Sequence, residues 1–144
     1  MHADSDPFNL QRFVDAQRDV YERVRAELQR GEKQSHWIWF IFPQLRSLGR
    51  SATAKFYGIS SIDEAAAYLA HPLLGERLRE CTRFVLAIRG RTAHQIFSSP
   101  DDMKFRSSMS LFAQATRTDG VFAEALEMYF GGEPDPLTID LIGR

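Results

Sequence analysis

Ser35-His36-Trp37-Ile38-Trp39-Phe40-Ile41-Phe42-Pro43-Gln44 is the stretch on which the fold turns. Six consecutive bulky apolar residues, Trp37 to Phe42, carry no period of their own. Periodicity alone therefore does not separate a buried strand from a buried helical turn. The rest of the chain decides. No other run offers a partner strand, whereas stripes spaced by three and four residues recur. Ser35 is placed to cap a short helix that stops before Pro43, because the residue preceding a proline is driven out of the helical region. In either conformation the segment lies at the centre of the core.

Upstream, Asp6-Pro7 reads as a helix start, with Pro at a position whose amide would be unsatisfied anyway. Leu10, Val14, Gln17, Tyr21, Val24 and Leu28 follow at alternating spacings of four and three, widened by Phe13 and Val20. They predict one amphipathic helix closed by Gly31. Gln17 interrupts the stripe. A buried amide costs about 1–3 kcal/mol unless bonded, so Gln17 either ties a neighbouring loop or stands in the wall of a pocket.

Downstream, Leu45 to Arg50 reads as a loop hinged at Gly49. Ser51 caps a short helix over Ala52–Tyr57 that Gly58 stops. Ser61-Ile62-Asp63-Glu64 is a capping box whose helix runs to His71-Pro72. Pro72 starts another helix, with Leu74, Leu78, Cys81, Phe84 or Val85, and Ile88 on its stripe, stopped by Gly90. Thr92 caps a helical turn through Phe97. Ser99-Pro100-Asp101-Asp102 opens a helix to about Thr116, its acids in the first turn where the helix dipole favours them. Val121–Phe130 is helical until Gly131-Gly132 breaks it, and Asp135-Pro136 opens Leu137–Ile142. These readings give an all-α class: one domain over residues 1–144, with about seven helices joined by short loops.

Composition agrees and excludes much. The 144 residues are 44% hydrophobic and 12% aromatic, which is too apolar for a disordered chain. One cysteine, Cys81, rules out a disulfide scaffold or a Cys-rich zinc module. No apolar run has the length of a membrane helix. Met1 to Asp6 is polar and acidic, unlike a secretory signal, so a cytoplasmic location is expected.

A net charge of −1 conceals an asymmetry. Between Lys33 and Ile62 there is no Asp or Glu, while Lys33, Arg46, Arg50 and Lys55 are present. Between Thr118 and Gly143 there is no Lys or Arg, while six acids are present, Asp135 among them. The two stretches either face each other or dress separate surfaces, or else the basic one holds an anion. An isoelectric point near 6.4 and so few cations disfavour nucleic acid. They suffice for a phosphate or carboxylate near the helix starts at Ser35 and Ser51.

His36, at the edge of the apolar run, is the candidate general acid or base; alternatively its ring nitrogens bond backbone carbonyls. Trp37 and Trp39 point to different faces, and one of them can serve as a stacking wall. Arg46 and Arg50 flank Ser47-Leu48-Gly49, where guanidinium forks suit phosphate oxygens, although no Walker ending is present. Asp102, Lys104, Ser107 and Ser108 lie along one helix start, and Lys104 and Ser108 share a face. His71 suits a helix cap, and His2 and His94 look exposed. No His pair or carboxylate has metal-ligand spacing, and no cofactor is implied. A serine-hydrolase reading lacks a nucleophile elbow.

The run Lys33-Gln34-Ser35-His36-Trp37-Ile38-Trp39-Phe40-Ile41-Phe42-Pro43-Gln44 resembles the signature of domain-of-unknown-function family 1810. Leu48-Gly49-Arg50-Ser51, Tyr57-Gly58-Ile59, Tyr68 through Gly75, and Asp102 with Lys104, Ser107, Ser108, Leu111 and Phe112 extend the resemblance over nearly the whole chain. The resemblance implies a compact all-helical domain, usually bacterial, and supplies no reaction. It also implies Phe-Gly where this chain has Phe97-Ser98. Some members carry the label calpastatin, but that inhibitor is a disordered repeat protein and this chain has neither feature.

Together these residues predict one cleft. Gln17, Lys33, Ser35, Trp37, Gln44, Arg46, Arg50 and Ser51 would line it from one side, and Lys104 and Ser108 from the other. His36 and Asp102 would carry any proton transfer. The expected partner is a small anionic, nucleotide-like or phosphorylated metabolite, bound or hydrolysed, with neither membrane nor nucleic acid involved. The alternative is a non-catalytic protein-interaction module.

Overall fold

The computed structural model describes residues 6–143, so the expectation for His2 lies outside the described residues. Ten α-helices follow in order: α1 Gln11–Gln17, α2 Tyr21–Gln29, α3 Ile38–Ile41, α4 Ala52–Phe56, α5 Ile62–Ala70, α6 Leu74–Ala87, α7 Ala93–Phe97, α8 Asp101–Ala115, α9 Val121–Phe130 and α10 Pro136–Ile142. Seven have seven residues or more. A 3-10 turn spans Arg46–Leu48. Among the described residues there is no strand, only one isolated parallel bridge between Leu45 and Ile59. The chain is thus the compact all-α domain that its stripes predict, and among the described residues no helix is long and apolar enough to cross a membrane.

The long helix α8 is the central post. It packs against α5, α7, α9 and α10, while α6 closes the far side against α2, α5 and α9. The apolar run does occupy the centre. Trp37, Ile38, Ile41 and Phe42 are all at most 2% exposed. Phe42 meets Phe105 of α8 edge-on at 4.9 Å and Phe97 of α7 at 6.0 Å. Such offset aromatic pairs add to the stabilisation from area burial.

Several caps form as the sequence predicts. Ser51 Oγ accepts from Ala54 N, and Thr92 and Gln95 complete a capping box. His71 Nδ1 accepts from Leu73 N and Leu74 N at the head of α6, so that helix begins at Leu74 rather than Pro72.

Four local expectations are corrected. The single helix from Asp6 to Gly31 is two helices, interrupted at residues 18–20. The apolar stripe continues across the break, but α1 packs on α3 and α2 on α6, so the two halves answer to different neighbours. Asp6 caps one turn later than expected, its carboxylate accepting from Leu10 N at 2.7 Å and Gln11 N at 3.0 Å. Ser35 does not cap α3: its hydroxyl donates to Glu27 Oε2 at 2.6 Å, and Trp37 precedes the helix. Finally, the Ser61–Glu64 box is half-formed. Ser61 Oγ accepts from Glu64 N, but the Glu64 carboxylate turns to Ser60 and to Arg12.

Arg12 explains that turn. Its guanidinium is buried and donates to the carbonyls of Phe8, Asn9, Phe56 and Gly58 and to Glu64 Oε2 at 2.8 Å. One charged side chain thereby joins the amino-terminal turn, the end of α4 and the start of α5. Next to it, the Leu45–Ile59 bridge is made by Arg46 N donating to Ile59 O and Ile59 N donating to Gln44 O, both at 2.9 Å. Gly58 makes this approach feasible, since a Cβ there would lie 2.3 Å from Arg46 Cα.

Candidate functional site

A cleft of about 500 Å³ opens between two parts of the chain. One wall is the stretch from Gln44 to Ala54, including Leu48, Gly49, Arg50 and Ser51. The other is the head of α8, through Pro100, Met103, Lys104 and Ser107. Asp135 and Leu137, at the start of α10, close the remaining side. Gly49 lets the first wall fold tightly, because a Cβ there would meet the Ala54 Cβ at 2.9 Å.

Four of the sequence-predicted ligand residues, Gln44, Arg50, Ser51 and Lys104, come together here. The others do not line the cleft. Gln17 is buried and fully engaged: its amide donates to Phe40 O at 2.7 Å and to the Tyr68 hydroxyl, and it accepts from Arg77. Arg46 is exposed on the 3-10 turn. Trp37 is 2% exposed, so a ring cannot stack on it from solvent. Ser108 is fully buried, and its hydroxyl has no hydrogen-bond partner among the described residues. Its neighbour Ser107 is the serine that reaches the cleft.

The two proposed proton carriers also stand apart from the lining. His36 is exposed. Asp102 sits in the first turn of α8, its Oδ2 3.5 Å from His94 Nδ1. Among the described residues no group of three or more His, Cys, Asp or Glu is placed to hold a metal ion.

Ser35 and Trp37 belong to a different construction, centred on Glu27. This carboxylate is 3% exposed and accepts from Gln34 N, Ser35 N, Ser35 Oγ and Trp37 Nε1. Burial pushes its pKa upward, but the hydrogen bonds from Ser35, Gln34 and Trp37 together outweigh burial and hold it down at about 2. Ser35 and Trp37 thus face inward, and His36 between them is left outside.

Lys33 links this construction to the cleft. Its ammonium, 5% exposed, lies 2.8 Å from Asp101 Oδ2 and donates to Ser35 O. Asp101 is also 3.9 Å from Lys104. Two lysines therefore flank one carboxylate, and the buried one holds it more closely. Lys104, whose side chain is 26% exposed, is the more open of the two. That ammonium sits 5.4 Å from the centroid of the Trp39 ring, within range of a cation–π contact. Trp39, rather than Trp37, is the tryptophan beside the site, and its indole N–H is buried with no hydrogen-bond partner among the described residues.

The opposite pole is acidic. Asp135 Oδ2 accepts from Ser107 Oγ at 2.8 Å and from Thr138 Oγ1 at 2.6 Å, while Asp135 N donates to Ser110 Oγ. The acid-free and base-free stretches of the sequence therefore do meet, with Arg50 on one side of the cleft and Asp135 on the other. Asp135, Ser107, Met103 and Leu137 were not anticipated as lining residues. The acidic run was visible in sequence, but Asp135 reads there only as the cap before Pro136. Met103 and Leu137 are 48% and 62% exposed, which gives the rim an apolar character.

Residues 7–142 match the family described as protein of unknown function (DUF1810). The crystal structure of the conserved hypothetical protein Rv1873 from Mycobacterium tuberculosis is similar throughout. The two chains are 52% identical, the match covers 96% of this chain and 99% of that one, and the TM-score is 0.95. No curated protein matches the chain.

Proposed function

The chain belongs to the DUF1810 family, and on that footing we propose that its cleft binds a small anionic metabolite, with Arg50 and Lys104 as the cationic contacts. The observation that carries this reading is convergence. Gln44, Arg50 and Ser51 arrive from one segment and Lys104 from a helix some fifty residues later, and they share one concavity. Concave, largely apolar sites with a few polar groups are the usual form of small-molecule pockets. Arg50 contributes a forked donor suited to an oxyanion, and Lys104 a compact charge. The Ser51 hydroxyl already accepts from Ala54 N, and its own proton remains available to donate.

The reading is one of binding. His36 and Asp102 lie off the lining, and a hydrolytic role would bring substrate to groups that the cleft does not contain. The test is calorimetric titration with pyrophosphate. Saturable binding is expected that falls at least tenfold in Arg50→Ala and in Lys104→Ala. Wild-type protein that binds none, or variants that bind as tightly, would remove the proposal.

A second reading, a protein-interaction groove, draws on the exposed Met103 and Leu137 at the rim. Pyrophosphate binding that depends on Arg50 and Lys104 has no place in that second reading.

A further inference from the structure

The cleft that we read as an anion site has a carboxylate in its wall, which a site for a plain polyanion would avoid. Asp135 is no loosely held surface group. Ser107 and Thr138 both donate to its Oδ2, and among the described residues no donor falls on Oδ1. Thr138 is fully buried and Ser107 is 8% exposed, so the two hydroxyls fix the carboxylate from the protein side. The remaining oxygen is an acceptor without a protein partner, on a residue that lines the cleft.

Resting on the binding reading above, we infer that the occupant is dipolar: a phosphate ester carrying free hydroxyl groups, its phosphate at Arg50 and Lys104 and a hydroxyl donating to Asp135 Oδ1. The chemistry separates this class from simple anions. Inorganic phosphate gains from the cationic pole and is repelled by Asp135. A sugar phosphate gains from both, because a hydroxyl gives the carboxylate a proton to accept while the phosphate stays on the other side. The apolar residues between the poles, Leu48, Ala54, Pro100 and Met103, suit the carbon face of such a molecule. Buried acceptors that lose their donor are costly, and polar sites of this kind therefore discriminate strongly against analogues lacking the hydroxyl.

Asp135→Asn is the decisive variant. Asparagine keeps the shape of the side chain and removes its charge. With its carbonyl oxygen accepting from Ser107 and Thr138 as Oδ2 does, its amide NH2 takes the place of Oδ1. The group facing the ligand then donates instead of accepting. Titrations with inorganic phosphate and with ribose 5-phosphate should show wild type favouring the ester by at least tenfold. Asp135→Asn should lose that margin while binding inorganic phosphate as well as wild type or better. Ser107→Ala, which frees the carboxylate on one side, should lose part of the margin with the fold intact by circular dichroism.

An unchanged preference in Asp135→Asn and Ser107→Ala, with phosphate still bound through Arg50, would overturn the dipolar assignment and leave the anion site standing. Wild type that binds neither probe would remove both.

Discussion

Glu27 and Asp135 are both carboxylates held by serine and other hydroxyl or N–H donors, yet they do opposite things. Around Glu27 both oxygens are engaged: the two amides and the indole donate to Oε1, and the Ser35 hydroxyl to Oε2. Around Asp135 only one oxygen is taken among the described residues. The first arrangement is closed and fixes the Ser35–Trp37 segment against α2. The second is open and faces a concavity. A polar group inside a helical domain is structural where its bonds are complete, and points to a ligand where one bond is left over beside accessible space.

That contrast can be broken or sharpened by experiment. The largest expected effect is at Arg12, the other closed centre. Arg12→Met leaves Glu64 buried without its counter-charge and should cost roughly 3–5 kcal/mol, read from urea unfolding. A loss below about 1 kcal/mol would mean that the pair is not the clasp described here. Glu27 comes next. Its folded pKa of about 2 lies below the ordinary value near 4.5, so its contribution is complete above pH 4.5 and is lost as pH falls toward 2. The shift corresponds to about 3 kcal/mol. Glu27→Gln should lose about that much stability at pH 7 and show a flatter acid limb; parallel pH profiles of wild type and variant would contradict it.

Ser98 gives a smaller effect, of opposite sign. It holds φ 62° and ψ 168°, a region that glycine alone occupies comfortably. It is a backbone that the Phe-Gly pair implied by the family resemblance would adopt without strain. Ser98→Gly should raise stability by about 1 kcal/mol after glycine's entropic cost is deducted, visible as a higher melting temperature. The smallest effect on stability belongs to the open site. Arg50→Ala should shift unfolding by no more than about 0.5 kcal/mol while abolishing most pyrophosphate affinity. A large loss of stability there would place Arg50 among the closed, structural groups.

The sequence reading located most helix boundaries because caps are local chemistry: Ser51, Thr92 and Gly131 each act on amides or carbonyls within a few residues. It missed the break after Gln17 because periodicity registers which side chains are apolar, and the stripe stays apolar across two helices with different neighbours. Arg12 and Glu27 drew no reading from the sequence and Glu64 only that of a capping box, since nothing local shows that partners 52 or 10 residues away will meet them. At the site, the charge asymmetry pointed to Arg50, and the face shared with Ser108 to Lys104. The choice between Ser107 and Ser108 turned on about 100° of helix rotation, which two adjacent serines do not encode. The choice between Trp37 and Trp39 was settled by which indole found Glu27.

The two amide-to-carbonyl hydrogen bonds of the Leu45–Ile59 bridge work as a buckle. They close residues 44–59 into a loop that carries the Arg50 wall of the cleft, while the Lys104 wall rides on the core helix. A side chain at Gly58 would press on Arg46 Cα and strain the buckle, and with it the buried Leu45 and Ile59 that the buckle joins. The Arg50 wall is thus fastened twice, by this bridge and by Arg12 at the Phe56 and Gly58 carbonyls, so the shape of the cleft is tied to the packing of the core.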